Sequence, residues 1–116
     1  MQKEQREQVF KIYLETVLKE GGTGNFVIFT DPLSEKFVQF VGDMGKSSLV
    51  LDVPKAIVNE SEEGLLFRYL PAVHKLEYSY QVQVTVSQGA YLADSIFLDV
   101  FRLPGDYSIQ VELQLN

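Results

Sequence analysis

Apolar positions along this chain recur at a period of about 3.6 in some stretches and of about 2 in others, and elsewhere run without a break. From Gln5 to Glu20 the spacing is helical. Val9, Phe10, Ile12, Tyr13, Leu14, Val17 and Leu18 form a broad stripe, with Glu4, Lys11, Glu15 and Lys19 off it. A stripe this wide suits a helix packed on a sheet. Gly21, Gly22, Thr23 and Gly24 follow, and glycine just past a helix is the expected stop because it takes the left-handed conformation at little cost.

Asn25 to Val53 reads as a three-stranded antiparallel meander to which the rest of the chain docks. Its strands are Asn25–Thr30, Lys36–Gly42 and Ser48–Val53. Asp31-Pro32 marks the first turn and Gly42-Asp43-Met44-Gly45 the second, with Pro54 at the end. Connections this short favour antiparallel neighbours. The first two strands are apolar on both faces. Phe26 and Ile28 alternate with Val27 and Phe29, and Phe37 and Val41 alternate with Val38 and Phe40. A half-exposed sheet should read apolar on one side and polar on the other. Both faces are therefore covered by helices of this chain, or one is covered by another subunit. On the second alternative Phe26, Phe29, Phe37 and Phe40 are the candidate partner or dimer interface.

The pattern then changes repeatedly. Ser61 to Leu70 has helical spacing at Leu65, Leu66, Tyr69 and Leu70, with Ser61 as candidate N-cap and Glu62 and Glu63 in the first turn. Gly64 costs about 1 kcal/mol relative to Ala inside a helix, and GLLFRYL also suits a short strand. Leu76 to Val86 alternates strictly, with Tyr78, Tyr80, Val82, Val84 and Val86 opposite Ser79, Gln81, Gln83 and Thr85. Ser87-Gln88-Gly89 turns into a helix over Ala90–Leu103, striped by Leu92, Ile96, Phe97, Val100 and Leu103. Pro104-Gly105-Asp106 ends it, and Tyr107–Leu115 is a last alternating strand. The predicted order is α-β-β-β-α-β-α-β. That is an α+β domain in two layers, with a mostly antiparallel twisted sheet, an N-terminal helix and further packing helices.

At 116 residues and 46% hydrophobic, with eight Phe and six Tyr, residues 1–116 form a single domain able to bury a core. The chain has no Cys, which excludes a disulfide framework, a thiolate nucleophile and a Cys-ligated zinc, and suits a reducing compartment. The N-terminal apolar stretch is interrupted by Lys11 and Glu15, so it does not read as a signal peptide, and no run reaches the ~18 apolar residues of a membrane span. The expected location is the cytoplasm, away from membranes. Sixteen acids against ten scattered bases give a charge of −6, which opposes nucleic-acid binding and tilts weakly toward a basic or amphipathic partner.

Candidate chemistry is sparse. Gly45-Lys46-Ser47 resembles the end of a phosphate loop, but Phe40 stands where that loop needs glycine and a strand follows instead of a helix. The Gly21–Gly24 run follows a helix and precedes a strand, the reverse of a dinucleotide loop. His74 is the single histidine, and Glu77 nearby completes no ligand or hydrolase motif. Asp94 and Asp99, five apart on a helix, fall on different faces and make no acid/base pair. Asp31, Asp43 and Asp106 suit turns, and Glu60, Glu62 and Glu63 suit a solvated helix start or, more sharply, a docking surface for a basic peptide. Phe29, Phe37 and Phe40 lack the interleaved Arg and Lys of a base-stacking sheet. No catalytic, metal or cofactor-binding residue is assigned, and no cofactor is expected.

An N-terminal helix, a three-stranded meander containing Phe37-Val38-Gln39-Phe40, then a helix and further strands resembles the type III secretion chaperone-like fold, including YbjN-type proteins. The likeness covers residues 5–70, and the predicted strand-helix-strand ending departs from the strand-strand-helix ending of those proteins. The resemblance implies a non-enzymatic homodimer that binds segments of another protein. The expectation is thus a chaperone-like or adaptor module for a protein or peptide, acting as a homodimer. The alternative is a small-ligand-binding domain or enzyme with its site between sheet and helices.

Overall fold

A computed structural model describes residues 1–20, 24–42 and 48–115. The glycine stop over residues 21–23, the turn over residues 43–47 and the phosphate-loop look-alike Gly45-Lys46-Ser47 lie outside the described residues.

The elements are α1 (Lys3–Glu20), β1 (Phe26–Thr30), β2 (Phe37–Gly42), β3 (Leu49–Pro54), α2 (Glu60–Tyr69), β4 (His74–Lys75), β5 (Ser79–Val84), α3 (Val86–Ser95, continued by a π-helical turn over Ile96–Val100) and β6 (Gln110–Gln114). The chain is an α+β fold with an N-terminal helix and the expected order of elements, to which the two-residue β4 is added. The strands form one six-stranded sheet in the order β4-β5-β3-β2-β1-β6, antiparallel at every pairing. Residues 25–53 do form the central meander, with β5 docked on β3 and β6 on β1.

At the starts of α2 and α3, where the boundaries differ from expectation, capping chemistry is the cause, while β5 and β6 each begin three residues later than their alternation predicts, at Ser79 and Gln110. The cap of α2 is Asn59, not Ser61. Its side chain accepts from Glu62 N at 2.8 Å, and the Glu62 carboxylate accepts from Asn59 N at 2.9 Å. This reciprocal box outweighs the cost of Gly64 and settles the segment as helix. Thr85 and Gln88 make the same box at the start of α3. That box ends β5 at Val84 and starts α3 at Val86, four residues before the expected Ala90. Gly89 is therefore not a turn residue but a contact. A Cβ there would sit 3.0 Å from Phe40 and 3.1 Å from Leu14, so glycine lets α3 approach both the sheet and α1. The helix ends at Val100 instead of Leu103, where Arg102 takes φ 58°, the left-handed conformation of a helix stop.

Alternation sorts the sheet into two faces. Val27, Phe29, Val38, Phe40, Leu49, Leu51, Val53, Tyr80 and Val84 are buried. On them lie α1, through Phe10, Leu14 and Val17, and α3, through Ala90, Ala93, Ile96 and Phe97. The centre is aromatic. Phe10 meets Phe29 edge-on at 4.8 Å, Phe29 meets Phe40 at 6.0 Å, and Phe10 stacks with Phe97 at 6.5 Å. The molecule is 20 Å across its thinnest dimension, which one sheet and one layer of helix fill.

Candidate functional site: the uncovered face of the sheet

The other face carries Phe26, Ile28, Phe37, Val41 and Val50, all half-buried. They stand apart from the cluster formed by the buried core and the partly buried side chains packed on it. Among the described residues, α1, α2 and α3 all lie against the opposite face. Register makes these side chains neighbours. Phe26 pairs with Val41 and Val41 with Val50, a continuous apolar row across β1, β2 and β3. Beside it runs a polar row in which Glu112, Ile28, Gln39, Asp52, Gln81 and His74 are successive cross-strand partners. Gln81 donates to the Asp52 carboxylate at 2.6 Å. The result is an apolar strip edged by polar and charged side chains, the composition of a surface that meets another surface.

The four candidate phenylalanines divide between the two faces. Phe29 and Phe40 are fully buried under the helices, so they belong to the interior and cannot touch a partner. Phe26 and Phe37 are on the uncovered face. Ile28, Val41 and Val50 belong with them, and the alternation of β1, β2 and β3 already carried that signal.

Glu112, Asp52 and His74 belong to the polar row, whereas Arg6, Asp94 and Tyr107 lie elsewhere. Arg6, 1% exposed, donates to Asp94 at 2.9 Å and reaches the carbonyls of Met1 and Gly105 at 2.6 and 2.8 Å. Tyr107 donates to the same Asp94 oxygen at 2.8 Å, and the guanidinium lies 4.1 Å from the centre of its ring. Burial first, and the Asp94 carboxylate second, push the Tyr107 phenol well above its ordinary range. This network ties α1 to α3 and to the segment before β6. No local pattern announces it, because Arg6 and Asp94 are 88 residues apart. Asp94 and Asp99 part as expected, the first buried and the second exposed.

The acidic cluster at the start of α2 is split. Glu62 pairs with Lys36 at 3.2 Å and Glu63 with Lys75 at 2.8 Å, while Glu60 is exposed. Two of its three carboxylates are thus engaged within the chain and not presented to a basic peptide. Lys36 also donates to Ile57 O and lies over the Phe101 ring. His74 is exposed on β4 opposite Gln81. Among the described residues no three His, Cys, Asp or Glu side chains gather closely enough to hold a metal ion, and no helix is long and apolar enough to cross a membrane.

The Tyr80 hydroxyl donates to the Glu63 carboxylate, which Lys75 also holds. Burial, then that bond, push the Tyr80 phenol up to about 12. Lys75, then Tyr80, hold the Glu63 carboxyl below its usual range. A phenol raised on folding contributes stability that is complete below its ordinary value of about 10 and is lost as pH rises through the folded value. The depressed carboxyl contributes above the ordinary carboxylate range and loses its share as pH falls through the lowered value. We expect urea midpoints to fall from about pH 10 toward 12. Tyr80→Phe should remove the part of that alkaline slope that Tyr80 carries and leave the part carried by Tyr107, whose phenol burial also raises. An unchanged slope in the variant would contradict this assignment.

Compared with known proteins, the chain matches no family model, no curated protein and no solved structure.

Proposed function

We propose that this chain is a small non-enzymatic protein-binding module, a homodimer through the uncovered face of its sheet, working in a reducing compartment such as the cytoplasm. One observation carries the proposal. Phe26, Ile28, Phe37, Val41 and Val50 line a sheet face on which no described helix lies. Removing such side chains from water is worth about 25 cal/mol per Å². A second copy offers the same apolar row, so a two-fold packing sets Phe26, Val41 and Val50 of one chain against those of the other. The type III secretion chaperone-like resemblance points to the same kind of protein, a homodimer that holds part of another chain.

Two further observations favour binding over catalysis. The centre of the layer between sheet and helices is filled by Phe10, Phe29, Phe40 and Phe97, each fully buried, and the cleft at its rim, where Val82 and Val84 meet Leu70, Tyr91 and Leu92, is lined by no Asp, Glu, His, Lys or Arg. The buried acid Asp94 is bound by both Arg6 and Tyr107.

A dimer that folds and associates melts at a temperature that rises with protein concentration. We expect that rise for the native chain and its disappearance in Val41→Asp, with the far-UV spectrum unchanged because Val41 is outside the core. A concentration-independent melt in the native chain would overturn the dimer.

A further inference from the structure

Resting on the binding-module reading but not on the dimer, we infer that the free edge of β6 takes an extended segment of a partner protein as a further strand. That segment carries Lys or Arg opposite Glu112 and apolar residues at alternate positions.

The backbone shows which groups are open. Asn25 O accepts from Gly42 N, and Asp31 N donates to Lys36 O, both at 2.9 Å. Hydrogen-bonded pairs alternate along an antiparallel ladder. Residues 25, 27, 29 and 31 therefore bond toward β2, and Phe26, Ile28 and Thr30 toward β6. Their partners are Gln114, Glu112 and Gln110. The N–H and C=O groups of Val111 and Leu113 then point away from the sheet, because β6 pairs with β1 alone among the described residues.

Exposed edges are usually blunted by charged side chains, Lys above all, by Pro, by a bulge or by extreme shortness. The opposite edge fits that rule, since β4 is two residues long and includes Lys75. Strand β6 has only the single charge of Glu112. Gln-Val-Glu-Leu-Gln holds neither Lys nor Pro and pairs in unbroken register over its full length. Its side chains also alternate, with Val111 and Leu113 half-buried toward the helices and Gln110, Glu112 and Gln114 exposed.

The chemistry of the occupant follows from what flanks the edge. A second copy is a poor one. The two-fold antiparallel register that pairs all of β6 with itself sets Glu112 directly against Glu112, and like charges directly opposite are destabilising. Beyond the Gln110 end, a cleft of about 600 Å³ lies between Asp31 and Leu33 on one side and Leu103, Pro104 and Asp106 on the other. Leu33 is 93% exposed. No Lys or Arg lines the cleft, and of its two aspartates Asp106 is exposed while Asp31 is buried and accepts from Ser34 N. An added antiparallel strand would end there, its terminal apolar residue against Leu33 and Leu103. A basic and apolar segment fits both the edge and the cleft, and strand addition of this kind takes affinity from the main chain and selectivity from alternate side chains.

The test uses the whole chain and two acetylated synthetic peptides of alternating Val and Thr, one with a central Lys and one with a central Glu. Calorimetry should show the Lys peptide binding about tenfold more tightly than the Glu peptide, and Glu112→Lys should reverse the preference. Val111→Pro removes an outward N–H without touching a bond to β1, and should abolish binding of both. Equal affinities, no binding of either peptide, or binding that survives Val111→Pro would overturn the inference. So would Val111→Pro turning a dimer into monomers, since the edge would then belong to a second copy. The melt of Val41→Asp reads the face and these peptides read the edge, so either can fail alone.

Discussion

Replacing Asp94 by Ala is expected to lower stability by about 3–5 kcal/mol, because it leaves a buried guanidinium without its carboxylate. Arg6 has no route to water, being 1% exposed under the segment that leads into β6. The loss includes the bond from Tyr107, whose hydroxyl would also be left without an acceptor. Urea denaturation measures it directly. The double variant Arg6→Met with Asp94→Leu should recover much of the loss, since removing both charges removes the desolvation cost as well. Two single variants whose losses simply add would show that the pair does not act as a unit.

The second large effect separates the two faces. Phe40→Ala is expected to cost about 3–5 kcal/mol, as truncating a fully buried ring leaves a cavity in addition to the lost transfer energy. Phe40 meets Phe29 and sits under Gly89, so both neighbours lose contacts. Phe37→Ala, three residues earlier on the uncovered face, should cost about 1 kcal/mol in the isolated chain, since its ring already touches water. It should instead weaken self-association. Equal costs at the two positions would mean that the face assigned as uncovered is covered.

That partition was legible in the sequence as a question. The alternation of Phe26, Ile28, Phe37 and Val41 with Val27, Phe29, Val38 and Phe40 showed a sheet apolar on both sides, and only the fold shows which set lies under helices. Element order was legible too, because periods near 2 and 3.6 survive whatever the tertiary packing. The boundaries were less so. Asn59 and Glu62 form a capping box visible as a spacing, but Ser61 offered a competing cap. Thr85 with Gln88 was hidden inside a strand-like alternation that ran on to Val86. The Arg6–Asp94–Tyr107 network left no trace in sequence, as its members meet only when α1, α3 and the approach to β6 converge. The cleft beside Leu33 was invisible for the same reason.

Sedimentation equilibrium of the native chain tests the central claim most directly. The uncovered apolar face predicts the mass of two chains, falling to the mass of one in Val41→Asp. A native chain that sediments at the mass of one at every concentration would contradict it.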